Sequence, residues 1–280
     1  MSELTERYKG ILCDVWGVLH NGVSVYTAAN DALVQYRAQG GRVVLITNSP
    51  RPNGGVIEQL RQLGVDDEAW DDIVTSGDVT RELIKSVSGP VFLLGPDRDL
   101  PLFDGLDTSL SDAANASAVV CTGLFHDETE TPDDYRDMLA DFKARDLPFI
   151  CANPDLVVER GDRLIYCAGS LAQAYEEIGG TVHVAGKPHK PIYDAAFAAI
   201  NRVDGSQLKQ SDLVAIGDGM PTDVAGALGN GFDLLYITAG IHAAEYGAAD
   251  APDETKLAQF LLARNADPTY WMPRLNWQDG

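Results

Sequence analysis

The chain has 280 residues, enough for one large α/β domain or two ordinary ones, and its 45% hydrophobic content is that of a packed globular protein. Forty-two acidic against 21 basic residues leave a net charge of −21, which would repel phosphate backbones and anionic surfaces, so neither nucleic acid nor membrane is an expected partner. The start, Met1-Ser2-Glu3-Leu4-Thr5-Glu6-Arg7, lacks a basic stretch followed by an apolar run, and no later apolar stretch would span a bilayer, so a cytoplasmic protein is expected.

Strand-like and helix-like segments alternate along the chain, the pattern of a parallel sheet covered by helices. A short apolar strand at 11–13 runs straight into Asp14. A helix over 26–39 places Ala29, Ala32, Leu33 and Tyr36 on one face and stops at Gly40-Gly41. The β-branched run 42–46 follows as a strand and ends in Thr47-Asn48-Ser49, before Pro50 and Pro52 break the chain; the next helix closes near Gly64. From about Thr80 to Gly180 a separate α/β stretch carries strands at 91–94, 118–121 and 149–151. It also carries a helix with Tyr135, Met138, Leu139 and Phe142 at helical spacing behind Thr131-Pro132-Asp133. This stretch reads as an inserted second domain. Then come Val182-His183-Val184-Ala185-Gly186-Lys187-Pro188, a helix from Pro191 carrying Phe197 and Ile200, a strand at 213–217 that ends in Asp218, and a strand at 234–237. There is no internal repeat and no low-complexity tract. Cys13, Cys121, Cys151 and Cys167 form no CxxC pair and sit in apolar surroundings, so neither structural zinc nor disulfides are expected. The closing Trp271, Met272, Pro273, Leu275 and Trp277 are expected to dock on the core or on a second subunit, which leaves a homo-oligomer open.

Four segments carry chemistry. Asp14-Val15-Trp16-Gly17 places a carboxylate at a strand tip, and the carboxyl ends of neighbouring parallel strands share one crevice. Ile46-Thr47-Asn48 offers a hydroxyl and main-chain N–H groups to an anionic oxygen. Gly186-Lys187-Pro188 supplies a fixed cation, and Gly217-Asp218-Gly219 with Thr222-Asp223 supplies acidic groups suited to ligating Mg²⁺ through hard oxygens. A carboxylate nucleophile, a hydroxyl, a cation and a metal together make a phosphoryl-transfer set. Each element also has a plainer reading: a strand-end or turn cap for Asp14 and Thr47, a solvated amine for Lys187, helix N-caps for Asp218 and Asp223, and an ordinary turn for Asn153-Pro154-Asp155.

In this order, the four segments resemble the haloacid dehalogenase superfamily, over nearly the whole chain. Thr47-Asn48, the inserted α/β stretch, Gly186-Lys187-Pro188 and Gly217-Asp218 with Thr222-Asp223 resemble its class IIA capped branch. The resemblance implies an α/β fold with a Rossmann-like doubly wound parallel-sheet core and an inserted α/β cap. The core would be 1–79 and 181–280, and the cap 80–180. It implies a Mg²⁺-dependent phosphohydrolase acting on a small phosphorylated metabolite. Asp14 would be the nucleophile, with Thr47 and Lys187 holding phosphoryl oxygens. Asp14, the Trp16 main-chain carbonyl, Asp218 and Asp223 would form the metal site. Asn48 and the cap residues Asn153 and Asp155 would face substrate.

One position departs from the pattern. In phosphatases of this superfamily the residue two after the nucleophile is a second aspartate, which protonates the leaving group and then activates water; here it is Trp16. An indole N–H can do neither. His20 and His189 lie near two of the motifs as replacement proton carriers, or as structural histidines. Two further readings stay open beside the weakened phosphatase: a silent protein that binds a phosphorylated metabolite, and a superfamily hydrolase with non-phosphatase chemistry. A phospho-acceptor receiver ranks behind these, because the inserted stretch separates Thr47 from Lys187.

Overall fold

The computed structural model describes residues 2–203, 205 and 207–277. Its strands in chain order are β1 Gly10–Cys13, β2 Arg42–Thr47, β3 Asp72–Thr75, β4 Val91–Leu94, β5 Ala118–Cys121, β6 Phe149–Cys151 and β7 Val157–Arg160. They continue with β8 Arg163–Tyr166, β9 Val182–Val184, β10 Leu213–Gly217, β11 Asp233–Ile237, β12 Gly247–Ala248, β13 Ala251–Pro252 and β14 Tyr270–Met272.

Six of these make one parallel sheet in the order β14-β11-β10-β1-β2-β3. From β1 the chain winds one way through β2 to β3, and from β10 the other way through β11 to β14. The reversal therefore falls between β1 and β10. At such a switch point the helices diverge to opposite faces and leave a crevice beyond the strand ends, the place where Asp14 and Asp218 follow their strands.

Residue alternation makes this sheet a sandwich filling. Ile11, Cys13, Val43, Leu45, Val214 and Ile216 point into one core, joined by Ala29, Ala32, Leu33 and Tyr36 of the helix Thr27–Ala38. Leu12, Val44, Ile46, Leu213 and Ala215 point into the other, against Ile192, Ala196 and Ile200 of the helix Lys190–Arg202. The helix Asn53–Leu63 ends at Gly64, whose φ of +87° a β-carbon would strain.

Between β3 and β10 in sequence, a second parallel sheet runs in the order β4-β5-β6-β9, with its own apolar clusters on both faces. It forms the cap. β9 belongs to this sheet, so the cap sheet continues to Val184, past residue 180. An antiparallel hairpin of β7 and β8 leaves the cap between β6 and the helix Ala168–Glu177.

Seven strands escaped the sequence reading: β3, β7, β8, β9, β12, β13 and β14. β3 is short and begins on an aspartate, and the hairpin β7–β8 mixes charged with apolar residues. The closing aromatic run holds β14, which docks on the core by pairing with β11, while Leu275 is buried and Trp277 packs beside it. Gln278, Asp279 and Gly280 lie outside the described residues. All four cysteines are buried free thiols, and among the described residues no helix is long and apolar enough to cross a membrane.

Because Leu45 is fully buried in a strand flanked on both sides, Leu45→Ala should cost about 2–5 kcal/mol in urea unfolding. A loss under about 1 kcal/mol would contradict this placement.

Candidate active site

Four loops meet over the switch point. Asp14 follows β1, Thr47 ends β2, Lys187 lies three residues beyond β9, and Asp218 follows β10 with Asp223 in the turn Met220–Val224. Lys187 is buried, and its Nζ donates to Asp14 Oδ1 at 2.6 Å and to Asp223 Oδ1 at 2.7 Å. The Val15 N–H also donates to Asp14 Oδ1, at 2.7 Å, which leaves the other oxygen of Asp14 without a protein partner among the described residues. Asp218 Oδ2 accepts from the Ile241 N–H at 3.0 Å, and Asp223 Oδ2 accepts from the Gly219 N–H at 3.0 Å. Gly17 and Gly240 lie so close to the Asp218 carboxylate that a β-carbon at either would collide with it.

This is an electrostatically unbalanced place. Carboxylate oxygens of Asp14, Asp218 and Asp223 all lie within 4.8 Å of one another, with one ammonium among three acids. Burial and the charge of Asp223 push the Asp14 carboxyl well above the ordinary carboxylate range, although Lys187 pulls it back. The same two causes raise Asp218 to about 7. Burial works against the Lys187 charge, but the attraction of Asp14 and Asp223 outweighs it and keeps this amine protonated. Buried hard oxygens with surplus negative charge fit a divalent cation, which would relieve the repulsion.

Asn48 ties this centre to the cap. Its Nδ2 donates to Asp155 Oδ1 at 2.9 Å and to the Lys187 carbonyl at 3.2 Å, while its Oδ1 accepts from the Lys187 N–H at 2.7 Å. The whole amide is spent on protein groups. Trp16 makes a second tie: its Nε1–H donates to the Glu159 carbonyl in β7 at 2.5 Å, and the ring stands edge-on to His20. The Gly161 N–H donates to the Asn21 carbonyl at 3.3 Å, so two bonds hold the β7–β8 hairpin on the core.

A cavity of about 810 Å³ lies between core and cap, lined by Asp14, Thr47, Asn48, Asp155, Lys187, Asp218 and Asp223 among others. Trp16 and His189 line it as well. Asn153 and His20 do not; both line a separate cavity of about 100 Å³, whose wall shares Trp16, Thr47 and Asp155 with the larger one. Asn153 Oδ1 accepts from the Asp155 N–H, and His20 Nδ1 accepts from the Gly22 N–H. Burial lowers the His20 pKa to about 4, which keeps that ring neutral.

Sequence reasoning missed the loop after β11, which brings the Ile241 N–H to Asp218, and the cap residues Glu159 and Glu176 on the cavity wall. The first had a signal: β11 is another parallel strand whose carboxyl end faces the same crevice. The second had none: Glu159 lies in the hairpin and Glu176 in the helix Ala168–Glu177, and neither element was assigned from the sequence.

A model described as haloacid dehalogenase-like hydrolase matches residues 11–109, and one described as HAD-hydrolase-like matches residues 184–261. A hydrolase of the haloacid dehalogenase-like family from Brucella suis 1330 is 48% identical, with 98% of each chain covered and a TM-score of 0.89. The chain belongs to the haloacid dehalogenase-like family. Within that family, its inserted four-stranded parallel sheet makes it a capped hydrolase of class IIA type. The ribonucleotide monophosphatase NagD of Escherichia coli K12 is 26% identical over 83% of this chain and 88% of its own. The p-nitrophenyl phosphatase of Archaeoglobus fulgidus, 21% identical, shares the fold with a TM-score of 0.72 over 96% of this chain and 97% of its own.

Removing the amine while leaving the acids strands two buried like charges. Lys187→Met should therefore cost about 3–5 kcal/mol in urea unfolding with a chelator present. A change under about 1 kcal/mol would show that the pair does not hold these loops together.

Proposed function

We propose that this protein is a Mg²⁺-dependent phosphohydrolase of a small phosphorylated metabolite, working through an aspartyl-phosphate on Asp14. The observation that carries this reading is the orientation of Asp14, whose Oδ1 is held by Lys187 and the Val15 N–H while Oδ2 stays free. Attack by Oδ2 forms a bond to phosphorus and breaks the ester P–O bond, so the leaving group departs with the electron pair. Water then cleaves the aspartyl-phosphate to inorganic phosphate and the free carboxylate. Thr47 lines the cavity with its hydroxyl hydrogen free to donate to a phosphoryl oxygen, and Lys187 is the second donor. Asp14, Asp218 and the Trp16 carbonyl would hold Mg²⁺, and that carbonyl accepts no main-chain hydrogen bond among the described residues. When bound, the ion would offset charge on the transferring phosphoryl group. Asp223 braces Lys187 and the Gly219 turn from the side of this site.

In this reading, residues 80–180 form the cap and 1–79 with 181–280 the core, with β9 extending the cap sheet past residue 180. Asn48 acts by positioning Lys187 and Asp155. Asp155 faces substrate, and Asn153 acts through the turn that carries Asp155. The phosphatases among the relatives support phosphate-ester chemistry.

Trp16 weakens the catalyst. Its N–H is committed to Glu159, so it moves no proton, and general acid–base catalysis of about 10²–10⁴-fold, roughly 3–5 kcal/mol of barrier, is missing. Phenolic esters suffer least, because they leave without a proton. The same residue favours a second reading, a silent binder of a phosphorylated metabolite.

With Mg²⁺, the protein should release phosphate from 4-nitrophenyl phosphate and lose that activity in a chelator and in Asp14→Asn. Trp16→Asp should raise turnover of glycerol phosphate by about 10²-fold. Saturable ester binding with no turnover across a broad panel would establish the silent binder, and unchanged activity in Asp14→Asn would remove the nucleophile.

A further inference from the structure

The large cavity is lopsided in charge. Its lining holds six carboxylates, from Asp14, Asp155, Glu159, Glu176, Asp218 and Asp223, against one ammonium, Lys187, and no guanidinium. Lys187 is already shared by Asp14 and Asp223. A divalent ion would offset the aspartates at the floor, but it would not reach the cap wall. There Glu159 and Glu176 pair with no cation among the described residues. The lining also carries an apolar stretch, Leu156, Val157, Val158, Val182, Val184 and Ile241, beside His183, His189 and His242. The cationic side chains near the hairpin go elsewhere. Arg51, Arg98 and Arg160 line the smaller cavity, where Arg98 and Arg160 both pair with Asp127.

Glu159 is also held in place. The Trp16 indole bonds its carbonyl, so the height of β7 above the Asp14 loop is set by a core residue. At about 810 Å³, the space is far larger than a phosphate needs and takes a ring-sized leaving group.

Resting on the phosphohydrolase reading above, we infer that this cavity selects phosphomonoesters with a bulky, apolar leaving group that ends in a cationic amine, and rejects those carrying a second anion. The phosphate sits at the floor by Asp14, the ring lies along the apolar wall, and the amine meets Glu159 and Glu176. A carboxylate or second phosphate on the leaving group would meet those two acids instead, Glu159 half-buried and Glu176 exposed, and like charges there repel, most at low salt. Phosphoglycolate-like and nucleotide-diphosphate-like esters are thereby poor substrates, and phenolic amines the favoured ones. A phenol is also the leaving group that tolerates Trp16.

The test uses three aryl phosphates of similar leaving-group acidity: O-phosphotyramine, 4-ethylphenyl phosphate and 4-(phosphonooxy)phenylacetate. Turnover is measured at low salt and about pH 8. Binding of the corresponding arylmethylphosphonates, in which a CH₂ replaces the ester oxygen so that no leaving group can depart, is measured by calorimetry alongside. Expected is a kcat/KM at least about tenfold higher for the amine than for the carboxylate, with the neutral ester between, and the same order in binding. Glu159→Gln combined with Glu176→Gln should shrink that ratio to about twofold, although it changes the net charge of −21 by only two. If no ester turns over but the phosphonates keep this order, the phosphohydrolase reading fails while the charge selection stands. Equal values for all three compounds, a preference for the carboxylate, or a ratio that survives the double substitution would overturn the inference.

Discussion

The ammonium of Lys187, buried between Asp14 and Asp223, is the contact on which the site depends. It joins three stretches far apart in sequence, the end of β1, the return from the cap and the turn after β10. An isolated buried ammonium would be prohibitively costly, and so would two buried carboxylates a few ångströms apart. Each is tolerable only because of the other. The chain therefore reaches this geometry only when the switch point of the sheet, the exit from the cap and the glycine-lined Asp218 loop are all in place.

The same contact explains how the cap and core communicate. Lys187 follows β9 of the cap sheet by three residues, and Asn48 at the tip of β2 grips its main chain from both sides while holding Asp155. The segment that leaves the cap strand, the tip of β2 and the cation are thus one hydrogen-bonded unit. Trp16 adds a separate hold on the β7–β8 hairpin, from the loop that also carries Asp14. A residue with no proton to offer is, in this chain, a piece of the cap's foundation. That hold gives a physical reason why a bulky indole can occupy a position two residues from Asp14 without disturbing the strand tip.

Much of this was legible in the sequence because parallel sheets concentrate strand ends. An apolar strand running into Asp14, and another into Asp218, suffice to place two acids in one crevice once the sheet is parallel. Alternating burial follows from the strand sequences as well, as Val43 and Leu45 against Val44 and Ile46 illustrate. Thr47 at a strand end and Lys187 between a glycine and a proline were legible as an oxygen-binding hydroxyl and a fixed cation, and the family resemblance supplied their roles. The rest was illegible for local reasons. β3 is short and begins on an aspartate, and β14 has only three residues, so only their neighbours make them strands. The hairpin β7–β8 is half exposed and shows no clean alternation. Asn153 lies by its sequence next to Asp155, yet the turn between them points it into the smaller cavity.

Under the proposed mechanism the free oxygen of Asp14 attacks phosphorus, and with Trp16 in place of an acid the second, hydrolytic step is the slow one. The most direct measurement is rapid-quench reaction of the Mg²⁺-loaded protein with 4-nitrophenyl phosphate, followed by mass spectrometry of its peptides. Expected are a burst of nitrophenol close to one per site and a phosphoryl group on the peptide that contains Asp14, because the second step is the slow one. Steady turnover with no burst and no label on Asp14, or a label on another residue, would contradict it.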